Sequence, residues 1–230
     1  GIALNLTEAI PASPSPADRD AARQVDGRLN RWYLDPLARR GYPADMVEDF
    51  GGAMDFVQPG DMEAIAAPLD FLGLNYYTRE IVRSGAIPEG QNAPRTVSPN
   101  PEQTDMGWEV YPKGLYNILG RLHFAYQFPA IYVTENGAAY PDQVGPDGRV
   151  DDPSRIAYLK AHLEEAARAF KAGVPLKGYF VWSLLDNFEW AHGYTKRFGL
   201  IYVDYETQRR LLKASAHWYR RVIGANAIVD

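Results

Sequence analysis

Four stretches of the chain are almost continuously apolar and rich in β-branched and aromatic residues: positions 2–6, 70–76, 130–134 and 176–184. Short apolar runs bounded by Gly, Pro and Asn read as strands, and a run without alternation predicts a strand covered on both faces. Between them the apolar period becomes helical. Ser15-Pro16-Ala17-Asp18 opens the first helix with a capping-box-like Ser and a Pro at the first helical position. Its stripe then runs through Ala22, Val25, Leu29, Trp32 and Tyr33. Leu115, Ile118, Leu119, Leu122 and Tyr126 predict a second helix. Asp152-Pro153 starts a third, with Ile156, Leu159, Leu163, Ala166, Ala167 and Phe170 on one face and Gly173 at its close. A last helix is expected over 213–223, ended by Gly224, after a hairpin formed by 200–204 and 209–212. The Pro- and Gly-rich stretches 11–16, 87–101 and 141–148 read as loops.

Strands alternating with helices predict a parallel α/β sheet, because parallel neighbours need long crossovers. Four such units make half of an eight-stranded barrel, whose full form takes about 250 residues. A half would leave two apolar edges unpaired, so a missing N-terminal half or a second copy of the chain is expected to complete the ring. Residues 1–6 already read as strand and no Met precedes them, so the chain is expected to begin in mid-fold, as a fragment or processed half.

With 230 residues, 46% of them hydrophobic, the chain can bury a substantial core. A net charge of −5 and no Lys/Arg cluster argue against a nucleic-acid partner, since phosphate affinity is carried by basic surface. The absence of cysteine removes disulfides, thiolate catalysis and cysteine-ligated metals, and it fits a reducing, cytoplasmic compartment. No apolar run reaches the roughly 18 residues of a membrane span, so no membrane partner is expected.

The chemistry gathers at the predicted strand ends. In Ile131-Tyr132-Val133-Thr134-Glu135-Asn136-Gly137 a single carboxylate, Glu135, closes a strand. In barrels of parallel strands that position does chemistry, whereas Asn-Gly equally marks a hairpin, and this segment alone leaves both readings open. Asn75-Tyr76-Tyr77-Thr78 ends the second strand, and the fourth runs into Trp182-Ser183-Leu184-Leu185-Asp186-Asn187-Phe188-Glu189-Trp190. Aromatic faces beside carboxylates and amides suit a neutral polyhydroxylated ligand. Taken singly, Trp182 reads first as barrel core. Asp186 and Asn187 could brace the loop or touch a ligand. Glu189, set between Phe188 and Trp190, needs a partner if it is buried. The four histidines have no metal-ligand spacing, with His123, His162 and His217 in helical segments, and no metal or cofactor is expected.

Tyr132-Val133-Thr134-Glu135-Asn136-Gly137, Asn75-Tyr76-Tyr77 and the segment 182–190 resemble, in order, the signature segments of family 1 glycoside hydrolases, the β-glucosidase family. Thr104-Asp105-Met106-Gly107-Trp108-Glu109-Val110-Tyr111-Pro112 and Lys196-Arg197-Phe198-Gly199 match as well. The resemblance covers essentially the whole chain and implies strands 5–8, the second half of a (β/α)8 TIM barrel, as one catalytic domain over residues 1–230. It implies that Glu135 is the nucleophile of a retaining double displacement and that Tyr77 orients its carboxylate. Asn75 would lend a neighbouring amide, Trp182 the floor under the sugar, and Glu189 and Trp190 a grip on its outer hydroxyls. Phe198 would line that end and Trp108 would face the leaving group. The implied substrate is a β-glucoside or short β-linked oligosaccharide. The family's branch for 6-phosphorylated sugars typically replaces Glu189-Trp190, so the pair implies an unphosphorylated sugar. The family's acid/base Glu lies in an Asn-Glu-Pro context that occurs nowhere in these 230 residues. The family's glycone-binding Gln, its His-Trp pair and an Arg near the nucleophile are missing too. The chain is therefore expected to hold the nucleophile without the acid, and to be inactive alone. The competing expectation is a homodimeric half-barrel that binds sugar without hydrolysing it.

Overall fold

In chain order the elements are β1 (Ile2–Asn5), β2 (Glu8–Pro11), α1 (Pro16–Asp26), α2 (Trp32–Leu37), α3 (Ala44–Asp49), α4 (Asp61–Ile65), β3 (Leu72–Asn75) and β4 (Arg79–Val82). They continue with α5 (Pro112–Phe124), β5 (Ile131–Asn136), α6 (Pro153–Lys171), β6 (Leu176–Val181), β7 (Ile201–Val203), β8 (Arg210–Leu212) and α7 (Ala214–Ala225). This computed structural model describes residues 1–86 and 101–230, so the loop expected at 87–101 lies, but for its last residue, outside the described residues.

The four predicted strands form one sheet in the order β1-β3-β5-β6, and every adjacent pair is parallel. Glu135 therefore does not open a hairpin, because β5 has parallel neighbours on both sides. One side chain in two along these strands faces the helices: Leu72, Leu74, Ile131 and Val133 join Leu115, Ile118, Leu119 and Leu122 of α5 and Ala166 and Ala169 of α6 in a single core. Burying such a face is the main stabilising term for the sheet. The alternate positions are less covered. Phe71 packs edge-on to Tyr132 with ring centroids 5.4 Å apart, and Phe180 is 56% exposed. The expectation of cover on both faces thus holds for the helix side of the sheet only.

The boundaries differ where tertiary pairing competes with the local pattern. The third strand runs past Thr134 to Asn136, its register slipping by a bulge opposite Leu74/Asn75. The fourth stops at Val181 instead of reaching residue 184. Beyond it the chain turns to pair with the segment before β7: Ser183 N–H donates to Phe198 C=O at 3.2 Å and Leu200 N–H to Ser183 C=O at 2.9 Å. Ser15 caps α1 by accepting from Asp18 N–H at 3.1 Å, but the Asp18 carboxylate closes no box. It binds Ser13 Oγ and the Ser84 N–H at 2.5 and 2.7 Å instead. The first helix does not continue unbroken to Tyr33. A π-helical turn, Gly27–Arg31, interrupts it where Asn30 receives the Thr7 N–H (3.1 Å) and donates to the Thr7 carbonyl (2.8 Å). The last helix passes through Gly224 and ends at Asn226, whose φ of 47° supplies the left-handed cap. A short parallel pair, β2 with β4, has no counterpart in the sequence reading, and β2 ends on Pro11, the first residue of the stretch read as a loop. The predicted hairpin is present as β7–β8.

His162, fully buried in α6, donates from Nδ1 to the Tyr158 carbonyl at 2.8 Å, since a carbonyl can only accept, and stacks on the Tyr158 ring at 3.9 Å. Burial holds its pKa down to about 4, against 6.5 for the free side chain. The unfolded chain binds the proton more readily in that interval, so stability is present above it and is lost as pH falls through it. The loss amounts to roughly 3 kcal/mol. Urea unfolding at pH 7 and pH 4 should show that dependence, and His162→Gln should flatten it.

Candidate active site

Parallel pairing delivers the C-terminal ends of β1, β3, β5 and β6 to one edge of the sheet, where Asn5, Asn75 and Glu135 follow one another in register. Glu135 is half-buried and accepts a 2.6 Å hydrogen bond on Oε2 from the Tyr77 hydroxyl. Burial, the bond to Glu135 and that residue's negative charge push the Tyr77 pKa well up. The phenol is therefore a permanent donor at ordinary pH. The Tyr77 ring lies 5.4 Å from the Trp108 ring and 6.3 Å from Phe198, and those two are 6.3 Å apart. Three aromatic rings thus cluster around the residue that holds the carboxylate.

Glu189, in the loop that follows β6, is buried and takes a side-chain hydrogen bond from Trp182. Burial raises its pKa. The Trp182 bond and nearby His192 act against that shift, and the negative charge of Glu135 adds to it. The two carboxylates therefore sense one another. Asn75 accepts from the Thr134 hydroxyl at 2.6 Å, one residue from Glu135. The structure thus gathers Glu135, Tyr77, Trp108 and Phe198, sets Trp182 against Glu189, and puts Asn75 beside them. Trp190 stands apart at 84% exposed, at a backbone φ of 40°.

The support beneath the site is what sequence reasoning missed. Asn136, read as half of a turn, is fully buried. Its amide donates to the Tyr76 carbonyl (2.8 Å) and the Tyr158 hydroxyl (3.1 Å), and it accepts from the Tyr179 hydroxyl. Tyr158 in turn donates to the Tyr77 carbonyl at 3.1 Å. Gly137 is demanded by crowding, because a Cβ there would lie 1.7 Å from the Trp182 carbonyl oxygen. Asp186 accepts from Gly199 N–H at 2.9 Å and Asn187 donates to Ser183 Oγ at 3.0 Å, so both brace the loop. A polar residue buried between two strand ends was the available signal, hidden by the turn propensity of Asn-Gly. Among the described residues no cluster of His, Cys, Asp or Glu could hold a metal ion, and no helix is long and apolar enough to cross a membrane.

The sequence model of glycosyl hydrolase family 1 matches residues 1–228. This chain belongs to glycosyl hydrolase family 1. It is 44% identical to β-glucosidase A of Thermotoga maritima over 232 aligned residues, covering 100% of this chain and 51% of that protein. Against β-glucosidase A of Acetivibrio thermocellus the identity is 42%, covering 98% and 51%. The fold superposes on a psychrophilic β-glucosidase from Micrococcus antarcticus with a TM-score of 0.91 at 46% identity, over 99% of this chain and 53% of that one. A family 1 β-glucosidase from T. maritima, solved in complex with isofagomine lactam, gives 0.87 at 45% identity, over 98% and 51%. The chain spans about half the length of the curated relatives it matches. Its four-stranded parallel sheet is accordingly a partial version of the family's (β/α)8 barrel.

Glu189 provides a pH test of this geometry. Its folded pKa lies above the usual 4.5 because burial disfavours the charged form, so its cost to stability is absent below 4.5 and complete once pH exceeds the raised value. Relative to the parent, Glu189→Gln should gain unfolding free energy between pH 4 and pH 7. Parallel pH curves for the two proteins would contradict the burial of a charged carboxylate here.

Proposed function

We propose that this chain is the second half of a single (β/α)8 catalytic barrel, strands 5–8, belonging to a retaining β-glucosidase. That enzyme releases a terminal β-linked glucosyl or related residue from small glycosides. The observation that carries the reading is the 2.6 Å bond from Tyr77 to Glu135 at the C-terminal edge of a parallel sheet, with the Trp108 and Phe198 rings packed beside that of Tyr77. Tyr77 occupies Oε2 and fixes the plane of the carboxylate, so Oε1 is left to attack the anomeric carbon and form the covalent glycosyl-enzyme. Glu189, beside Trp182, accepts hydrogen bonds from the sugar's hydroxyls, while the Trp182 indole lies under its C–H face. Trp190, exposed in this chain, folds onto the sugar's outer hydroxyls from the rim. Trp108 meets the leaving group. The complexes of the Thermotoga β-glucosidase with isofagomine lactam and with deoxynojirimycin support a ligand the size of one sugar ring.

Retention needs a second carboxyl group about 5–5.5 Å from the first to protonate the leaving oxygen. Glu189 serves the sugar in this reading, and the Asn-Glu-Pro segment is absent from the chain. The acid therefore comes from the complementary half of the barrel, whose strands would pair with the free edges of β1 and β6. Glu135→Gly in the protein carrying the whole barrel should lower hydrolysis of an aryl β-glucoside by roughly 10³-fold or more. Added azide should restore part of it, since a small anion fits the gap left at position 135. Unchanged turnover overturns the assignment. Tyr77→Phe should lower kcat by about 10- to 100-fold, because the freed carboxylate rotates away from attack geometry.

A further inference from the structure

We propose that Asp186 is a positioning residue for this reaction: it holds the ring of Phe198 against Tyr77, and through Tyr77 it aims the carboxylate of Glu135. The proposal rests on the reading of Glu135 and Tyr77 given above. Asp186 is buried, and its two oxygens take four donors. Oδ1 accepts from Gly199 N–H at 2.9 Å and Lys213 Nζ at 2.8 Å. Oδ2 accepts from Arg197 Nη1 at 2.6 Å and Val203 N–H at 3.3 Å. Phe198 lies between Arg197 and Gly199, so both of its chain neighbours are tied to one carboxylate. The fit leaves no slack, because a Cβ on Gly199 would lie 2.2 Å from the Asp186 nitrogen. Phe198 is itself buried and meets Tyr77 edge-on, at an interplanar angle of 78°.

The carboxylate can sit in so dry a place because its surroundings balance its charge. Lys213 Nζ also binds Asp142 at 2.6 Å, Asp142 takes Arg155 at 2.7 Å, and Arg155 pairs with Asp152. Three anions thus face three cations, and Arg155 Nη2 reaches the Arg197 carbonyl at 2.8 Å to close the chain of contacts. An element whose only task was stability would not need to converge on the two residues that flank an aromatic of the site.

The test is a double-mutant cycle in the protein carrying the whole barrel, read as kcat and KM for an aryl β-glucoside with thermal midpoints alongside. Asp186→Asn should lower kcat/KM by about 10- to 100-fold, the scale of a displacement near 1 Å at reacting groups. In a Phe198→Ala background the same change should cost less than about threefold, since no ring remains to be misplaced. Removing one partner of a buried pair is strongly destabilising, so Asp186→Asn combined with Lys213→Met, which restores charge balance, stands in if the single variant does not fold. Effects that multiply across the cycle, or a folded Asp186 variant with parental kcat and KM, overturn the proposal. If Glu135→Gly or Tyr77→Phe leaves turnover intact, the site reading falls and takes this one with it. If those two behave as expected and the cycle multiplies, only the role of Asp186 is lost.

Discussion

A parallel sheet has a direction, and everything at the candidate site follows from it. Because β1, β3, β5 and β6 all run the same way, their last residues emerge at one edge. Side chains far apart in sequence, such as Asn75 and Glu135, become neighbours through register alone. An antiparallel arrangement would have sent alternate ends to opposite edges and scattered the same residues. The helices take the other face of the strands into the core, which fixes the position of the backbone without occupying the site.

Direction brings the residues together, and two buried polar systems then fix their orientation. Beneath β5, Asn136 and Tyr158 satisfy carbonyls of Tyr76 and Tyr77, so the segment after β3 cannot drift from the strand that carries Glu135. Beyond β6, the cluster of Asp142, Asp152, Asp186, Arg155, Arg197 and Lys213 joins the loop after β5, the loop after β6, the turn before β7 and the start of α7. Such a cluster adds little net stability over apolar packing, because each ion must be stripped of water. It is strongly directional, however, and its members are satisfied only in one arrangement. That is the property that holds side chains carried on loops in one place.

The open side of the sheet has a plain physical meaning beside the family relatives, which are about twice as long. Phe71, Tyr132 and Phe180 stand on the face opposite the helices, where a closed barrel packs side chains from all its strands. Gly178 leaves room there for Tyr132, since a Cβ would lie 2.9 Å from that ring. The strand composition is thus that of a barrel wall.

The amino-acid pattern by itself determined the four strands, the longer helices, the β7–β8 hairpin and the alternation that makes the sheet parallel, because these rest on the spacing of apolar residues along the chain. Motif order likewise pointed to Glu135, Tyr77, Asn75, Trp108, Trp182, Glu189, Trp190 and Phe198 as candidates. Only the tertiary structure decided where β6 ends, why α1 breaks at Asn30, that β2 and β4 pair, and that Trp190 stands clear of the rest. It alone placed Asn136 and Asp186 as buried supports. Apart from the exposure of Trp190, each of these depends on a hydrogen bond or ion pair between residues distant in sequence, and periodicity carries no information about the partner at the other end.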